Sequence, residues 1–418
     1  MNLLKDTKVH LESRHYSRIF FVFIWIAYAL VYMTKSCFSG ALSSIVAEGA
    51  LTMTEASLIN AAFYAAYTPL QILGGVFADK YNPEKLILIG LLGAAVSNTV
   101  IFFNQNFFVM LIAWVFNAMI QFALWPSIYK IISSQLVRSD RSQMMFFISF
   151  ASSGGLLISY AVSAAIPRWE LNFAISAGVL LVLALILLLF CKRYSPILVK
   201  DRPAEKTGEA APECSSLSTG KLFLISGCYA LMLTVLLRAM VENGTKTLSA
   251  TMLFQSYAGV SPSIGNLLNT LIILAGIAGT VLVHFFVFPK RIKNELSALL
   301  LHQLLALPFA VLLCFVGKLP LGIIVFALAM IAMLLTPATL FVQHFNMRFI
   351  KYGKNGTAAG LLNAASSLGF TLQFCVFGPV SEHLGWPTVT ALWIGMLLIC
   401  AVCTLAALRP FKRFIAKN

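Results

Sequence analysis

Charge is scarce in this chain: only 11% of its 418 residues are Asp, Glu, Lys or Arg. Soluble domains carry about 25%, so an ordinary soluble enzyme is excluded. Acid is scarcer still, with 15 Asp+Glu against 30 Lys+Arg and a net charge of +15. In a soluble protein that excess would suggest nucleic acid. In a chain that is 59% apolar it asks instead on which side of a membrane the charges sit, and no nucleic-acid partner is expected. The 8 cysteines fall mostly inside apolar runs at irregular spacing, so no disulfide framework is expected. Cys400 and Cys403 form a CxxC within an unbroken apolar run, with no second pair, and read as packing residues. The 6 histidines form no HExxH, so no metal site is expected. A GxxxxGK[ST] loop and a supported nucleophile–base pair are also missing. The chain therefore reads as no enzyme, with no cofactor.

What the chain has in abundance is long apolar runs. Charge-poor segments lie at about 18–46, 55–78, 86–103, 107–130, 143–166, 171–191, 220–242, 264–288, 296–316, 320–345, 356–380 and 387–408. They are continuous rather than alternating, which excludes an outer-membrane barrel. Backbone groups in lipid must bond internally, so these runs predict helices. The fold class expected is an all-α membrane protein of twelve transmembrane helices in two pseudo-symmetric halves.

Between Lys192 and Lys221 the composition becomes charged and rich in Pro and Ser. This predicts a six-helix half at 1–191, a linker at 192–219 and a second six-helix half at 220–418. Internal similarity supports the division: Ala151-Ser152-Ser153-Gly154-Gly155 recurs as Ala365-Ser366-Ser367-Leu368-Gly369, and Pro126 answers Pro337. With both termini placed in the cytoplasm, nearly every basic residue falls on the cytoplasmic side, and only Arg168, Lys246 and Lys318 are assigned to outer loops. Localisation in the cell membrane is expected, with the lipid bilayer as partner and a monomeric chain.

Two basic residues fit neither side. Lys35 lies inside the first span and Arg238 inside the seventh. A cation at such depth costs about 3 kcal/mol on insertion scales, so a partner or an aqueous cavity must offset it. The six-plus-six plan expects the two at equivalent places in the halves, facing a shared cavity, with a substrate anion as the missing counter-charge. A phosphate of about −1.5 to −2 suits an Arg fork and a Lys point charge. Glu242, four residues after Arg238, is the one acid expected on the same helical face, either as a structural partner or as a coupling group. Tyr28 and Tyr32 share a face with Lys35, and Tyr67 and Gln71 form a stripe on the second span; all four can offer polar groups to the same anion, or simply pack. Lys130 reads as structural.

The loop after the second span contains Gly75, Asp79 and Lys80. Gly75 is expected to permit close helix approach, and Asp79 to meet a neighbouring helix end and basic groups such as Arg138 or Arg141. Gly74 to Lys85 resembles the G-x-x-x-D-[RK]-x-[GN]-[RP] loop of the major facilitator superfamily. A closer resemblance runs along nearly the whole chain: Tyr28, Tyr32 and Lys35, the Asn82-Pro83 pair, Trp125-Pro126, Arg238, Gly356 to Gly360, and Gly385-Trp386 are similar to the bacterial organophosphate:phosphate antiporters. The resemblance implies exchange of a phosphate ester for inorganic phosphate by rocking of two halves. It also implies that Arg238 and Lys35 fall on the family's paired substrate-binding arginines, Lys standing in the place of one. Gln71 falls where the glycerophosphate branch carries Lys. Two other readings remain open, a proton-coupled carrier of another organic anion and a sugar-phosphate sensor that does not transport.

Overall fold

The computed structural model describes residues 9–10, 13–166, 168–194, 199–200, 219–287, 294–349, 352 and 354–416. It is almost wholly helical, as the apolar runs require. The first unit comprises Met1–Leu51 and Ala62–Thr207, the second Thr52–Ala61 and Gly208–Asn418. Ten helical stretches among the described residues are long and apolar enough to cross a membrane.

In the first unit, α1 (Arg14–Ala47) packs along α6 (Arg141–Ala165), and α3 (Pro83–Phe103) along α7 (Glu170–Tyr194) and α4 (Phe107–Ile120). The helix α2 (Met53–Lys80) starts in a capping box, where the Glu55 amide donates to Thr52 Oγ1 and the Thr52 amide to Glu55 Oε2. A further donor of that first turn, the Thr54 amide, is met at 2.7 Å by Glu382 Oε2, within the second unit. Starts elsewhere follow the same chemistry: Asn82 accepts from the Lys85 amide ahead of Pro83, and Asn106 from the Phe108 amide. The core of this unit gathers Phe20, Ile24, Leu124, Ile128, Leu180 and Leu183.

The second unit repeats the plan. There α9 (Cys228–Thr247) packs along α15 (Asn355–Leu384), α12 (Glu295–Leu313) along α16 (Trp386–Ala416) and α13 (Leu321–Leu335), and α11 (Pro262–Leu282) along α13. Its core is phenylalanine-rich, with Phe223, Phe341, Phe345, Phe349 and Phe411 buried together.

Several expectations are corrected. The predicted span 107–130 is interrupted: α4 ends at Ile120 and α5 (Leu124–Lys130) resumes after a turn, followed by a π-helical turn at Ile131–Gln135. Likewise 320–345 is split into α13 and α14 (Ala338–Met347). Pro126 and Pro337 explain both breaks, since a ring nitrogen has no hydrogen to donate four residues back. The predicted span 220–242 is divided at Gly227, whose φ of 75° ends α8 (Thr219–Ile225) and precedes α9. Beyond it, α9 continues to Thr247 and is followed by α10 (Ser249–Ser256), so Lys246 is a helix residue and not an outer-loop cation. The all-helical reading is qualified by a two-residue antiparallel pairing of β1 (Val9–His10) with β2 (Val199–Lys200), which ties the N-terminal tail to the predicted linker. Within that linker, residues 195–198 and 201–218 lie outside the described residues.

Asp140, in the short turn before α6, accepts from Ser139 Oγ at 2.8 Å and pairs with Arg14 and Arg18 at 3.4 Å. The Ser139 hydrogen bond, aided by the two guanidinium groups, holds its carboxyl below the usual 3.8. Its contribution to stability is thus fully present above 3.8 and is lost as pH falls below that through the lowered folded value. In melting curves, the gap between wild type and Asp140→Asn should be constant from pH 7 to pH 5 and close below about pH 4. A gap that closes near neutrality would rule out this carboxylate as its source.

Candidate functional site

Lys35 sits nearly six turns into α1, half-buried. Its Nζ donates to the Tyr67 hydroxyl of α2 at 3.1 Å and stands 4.3 Å from the Tyr67 ring centre and 5.6 Å from that of Tyr32. Tyr32 meets Tyr28 edge-on at 5.1 Å, and Tyr28 stacks on Trp125 of α5 at the same spacing. The structure therefore brings together the predicted residues Lys35, Tyr28, Tyr32 and Tyr67, in an aromatic setting where cation–π attraction helps hold the ammonium. Among the described residues, no carboxylate lies within ion-pair distance of Lys35. Gln71 follows Tyr67 by one turn of α2 and is half-buried.

The α1 segment bearing these groups is seated by a close approach of α6. A β-carbon at Gly155 would collide with the Ala29 carbonyl and stand 2.5 Å from Tyr32 Cβ. The repeat partner Gly369 does the same in the second unit, where a β-carbon would run into the Leu236 carbonyl of α9, two residues before Arg238. The short internal repeat thus marks the glycines that let one helix backbone touch the helix carrying the predicted cation.

Arg238 is 2% exposed. Its Nη1 donates to Glu242 Oε2 and, at 3.1 Å, to the Leu335 carbonyl. That carbonyl is available because of the Pro337 break, at which the Thr339 amide turns to Thr336 O at 3.4 Å. Arg238 Nε is buried without a hydrogen-bond partner among the described residues. Glu242 Oε1 receives Lys246 Nζ at 2.6 Å. Arg238, Glu242 and Lys246, the first two buried and the third half-buried, thus form a triad at successive i, i+4 positions of α9, with net charge +1. Lys246 was missed as a site residue because a lysine ending an apolar run reads as a loop cation. The signal that could have found it is its spacing of four from Glu242.

The remaining predicted residues are elsewhere. Gly75 has nothing within 4 Å of a would-be β-carbon, whereas one at Gly74 would stand 2.5 Å from the Phe122 carbonyl, so Gly74 is the close-approach glycine. That carbonyl is the one Pro126 leaves without its helical donor, and the same geometry recurs at Gly279 against the Met333 carbonyl ahead of Pro337. The Asp79 and Arg138 side chains lie outside the described residues. Arg141 donates to the Leu136 and Ser134 carbonyls at 2.7 and 2.8 Å, capping the turn before its own helix. Lys80 lies 5.7 Å from the Tyr81 ring centre. Lys130 reaches the Ala78 and Tyr81 carbonyls at the end of α2, the structural role expected of it. No group of three or more potential metal ligands occurs among the described residues.

Comparison with known proteins agrees with this architecture. The "Membrane sensor protein UhpC" of Escherichia coli (strain K12) is 26% identical over 199 residues, 47% of this chain and 44% of the relative. A "Probable hexose phosphate transport protein" of Chlamydia pneumoniae is 26% identical over 159 residues, 37% and 34% of the two chains. The chain thus spans less than half the length of these curated relatives. In three dimensions it is similar to a bacterial homologue of the human lysosomal transporter Spinster, inward-facing and unoccupied, with a TM-score of 0.76 at 14% identity over 96% of this chain and 99% of the other, a likeness of fold alone. The sequence pattern of the Major Facilitator Superfamily matches residues 24–372. Since that match runs from within α1 to within α15, across both units, the chain belongs to the Major Facilitator Superfamily.

Proposed function

We propose that this protein is a secondary active transporter of a phosphorylated organic anion, which it exchanges for inorganic phosphate. The observation that carries the reading is Lys35, a cation within a membrane-spanning helix that is held by tyrosines and has no carboxylate in ion-pair distance among the described residues. Intramembrane charge is expensive enough to be retained for use, and an arriving anion offsets the expense. Arg238 supplies the second cation and an Nε that is unpaired among the described residues, which favours an oxyanion with several acceptor oxygens. Tyr28, Tyr32, Tyr67 and Gln71 provide hydroxyl and amide groups for the organic part. The names of the relatives favour a sugar phosphate and transport chemistry over catalysis. The mechanism we favour is alternating access by rocking of two six-helix halves, 1–191 and 220–418, in a cell membrane with both termini cytoplasmic; the protein is read as a monomer.

Proteoliposomes loaded with labelled phosphate test it. Hexose 6-phosphate added outside should accelerate release of the label several-fold. Equal release with and without external anion would exclude exchange. A second reading, a sensor that binds sugar phosphate without moving it, draws on the UhpC relative; it predicts ligand-dependent stabilisation of the purified protein with no counterflow at all.

A further inference from the structure

The α9 triad has a property that the proposed function does not require. Arg238 already has an anion, Glu242, and that anion has a second cation, Lys246. We infer that Glu242 is a resident competitor for Arg238, held in reserve by Lys246, and that the pair makes the site select phosphate dianions over carboxylates. The inference rests on the reading that Arg238 binds the transported anion.

The geometry supports a hand-over without large movement. The two carboxylate oxygens are divided, Oε2 to Arg238 and Oε1 to Lys246. Releasing Arg238 therefore leaves Glu242 still paired at 2.6 Å, and no buried carboxylate is stranded. The Lys246 side chain runs beside α11, its Cε 3.6 Å from where a β-carbon of Gly276 would stand, and its backbone carbonyl accepts from Asn269 Nδ2 at 2.8 Å. The Leu335 carbonyl accepts from the same Nη1 at 3.1 Å and helps keep the guanidinium in place. Arg238 Nε, buried and without a hydrogen-bond partner among the described residues, is the second observation: a buried donor of this kind calls for a further oxygen.

Charge then decides which ligand prevails. A monocarboxylate arriving at Arg238 replaces one carboxylate by another and gains little. A phosphate dianion brings a larger charge and more acceptor oxygens, enough to engage the Nε edge while also competing at Nη1, and displaces Glu242. The acid is thus a threshold that only a strongly charged oxyanion crosses. Without it, Arg238 and Lys246 would form a +2 site open to any anion.

The test titrates purified wild type, Arg238→Gln, Glu242→Gln and Lys246→Gln with inorganic phosphate and with glucuronate, following thermal stabilisation and dissociation constants. Glu242→Gln should bind phosphate about tenfold more tightly and acquire glucuronate binding; Lys246→Gln should bind phosphate about tenfold more weakly, since Glu242 is left wholly to Arg238. If Glu242→Gln does not fold, the Glu242→Gln/Lys246→Gln double variant removes one charge of each sign and should still gain glucuronate binding. A purely structural acid lowers the melting temperature and leaves both affinities unchanged, which overturns the inference. Phosphate binding that is present in wild type and lost in Arg238→Gln preserves the proposed function even then. Wild type that binds no phosphate overturns both.

Discussion

Lys35→Gln should abolish exchange and leave the protein at least as stable as wild type. The charge is removed from a membrane-spanning helix, where it is a liability to folding, so melting temperature should hold or rise. The anion, by contrast, loses a direct ionic partner in a poorly hydrated setting. Removing one member of a desolvated charge pair costs about 2–5 kcal/mol, which corresponds to a fall of roughly 30- to 5,000-fold in affinity. Lys35→Arg keeps the cation and should retain part of the activity, with altered preference, because a planar fork replaces a point charge beneath the Tyr67 ring. Counterflow in proteoliposomes and thermal unfolding in detergent together check this. Exchange that survives in Lys35→Gln would remove Lys35 from the site; a collapse of stability with proportionate loss of activity would show a packing role instead.

Most helices were legible because lipid imposes one rule on every span. Length and hydropathy located them, and the structure adds the caps at Asn82 and Asn106 that set where two of them begin. The breaks were harder to see. Pro126 and Pro337 stood out as a repeat, yet apolar composition carries on unbroken past both, and hydropathy does not register a missing amide hydrogen. That omission bears on the site. The break at Pro337 gives Arg238 its carbonyl partner at Leu335, ninety-seven residues away in the chain. A contact of that separation depends on tertiary packing, which periodicity cannot supply.

The site divides along the same line. Lys35, Tyr28, Tyr32 and Tyr67 were legible because three of them share one helical face and an intramembrane cation is conspicuous in any apolar run. The spacing of Arg238 and Glu242 was equally plain. Lys246 failed because it was weighed against hydropathy alone, although Glu242 one turn earlier pairs with it within a helix that continues to Thr247. Gly75 failed for a reason of rotation. Adjacent helix residues point about 100° apart, so the sequence could not choose between Gly74 and Gly75.

A pair of neighbouring glycines where the choice can be made leads to the second large effect. Gly155→Ala should cost about 2–3 kcal/mol, while Gly154→Ala, one residue away, should be neutral or gain about 0.5–1 kcal/mol from the lost flexibility of the unfolded chain. At Gly155 the added methyl meets the backbone carbonyl of Ala29 and the Tyr32 side chain, so α1 must move away from α6. At Gly154 the nearest atom is Trp25 Cη2, 3.9 Å off, an ordinary contact. The second half of the chain has already made the comparison. At the position equivalent to Gly154 stands Leu368, 46% exposed, while the position equivalent to Gly155 is still glycine and still abuts a backbone carbonyl. Thermal unfolding of the two alanine variants checks the prediction, and equal stability would refute it. Activity adds a second discriminator. Because the same displacement moves Tyr32, whose ring lies 5.6 Å from the Lys35 ammonium, Gly155→Ala that still folds should weaken anion binding, and Gly154→Ala should leave it intact.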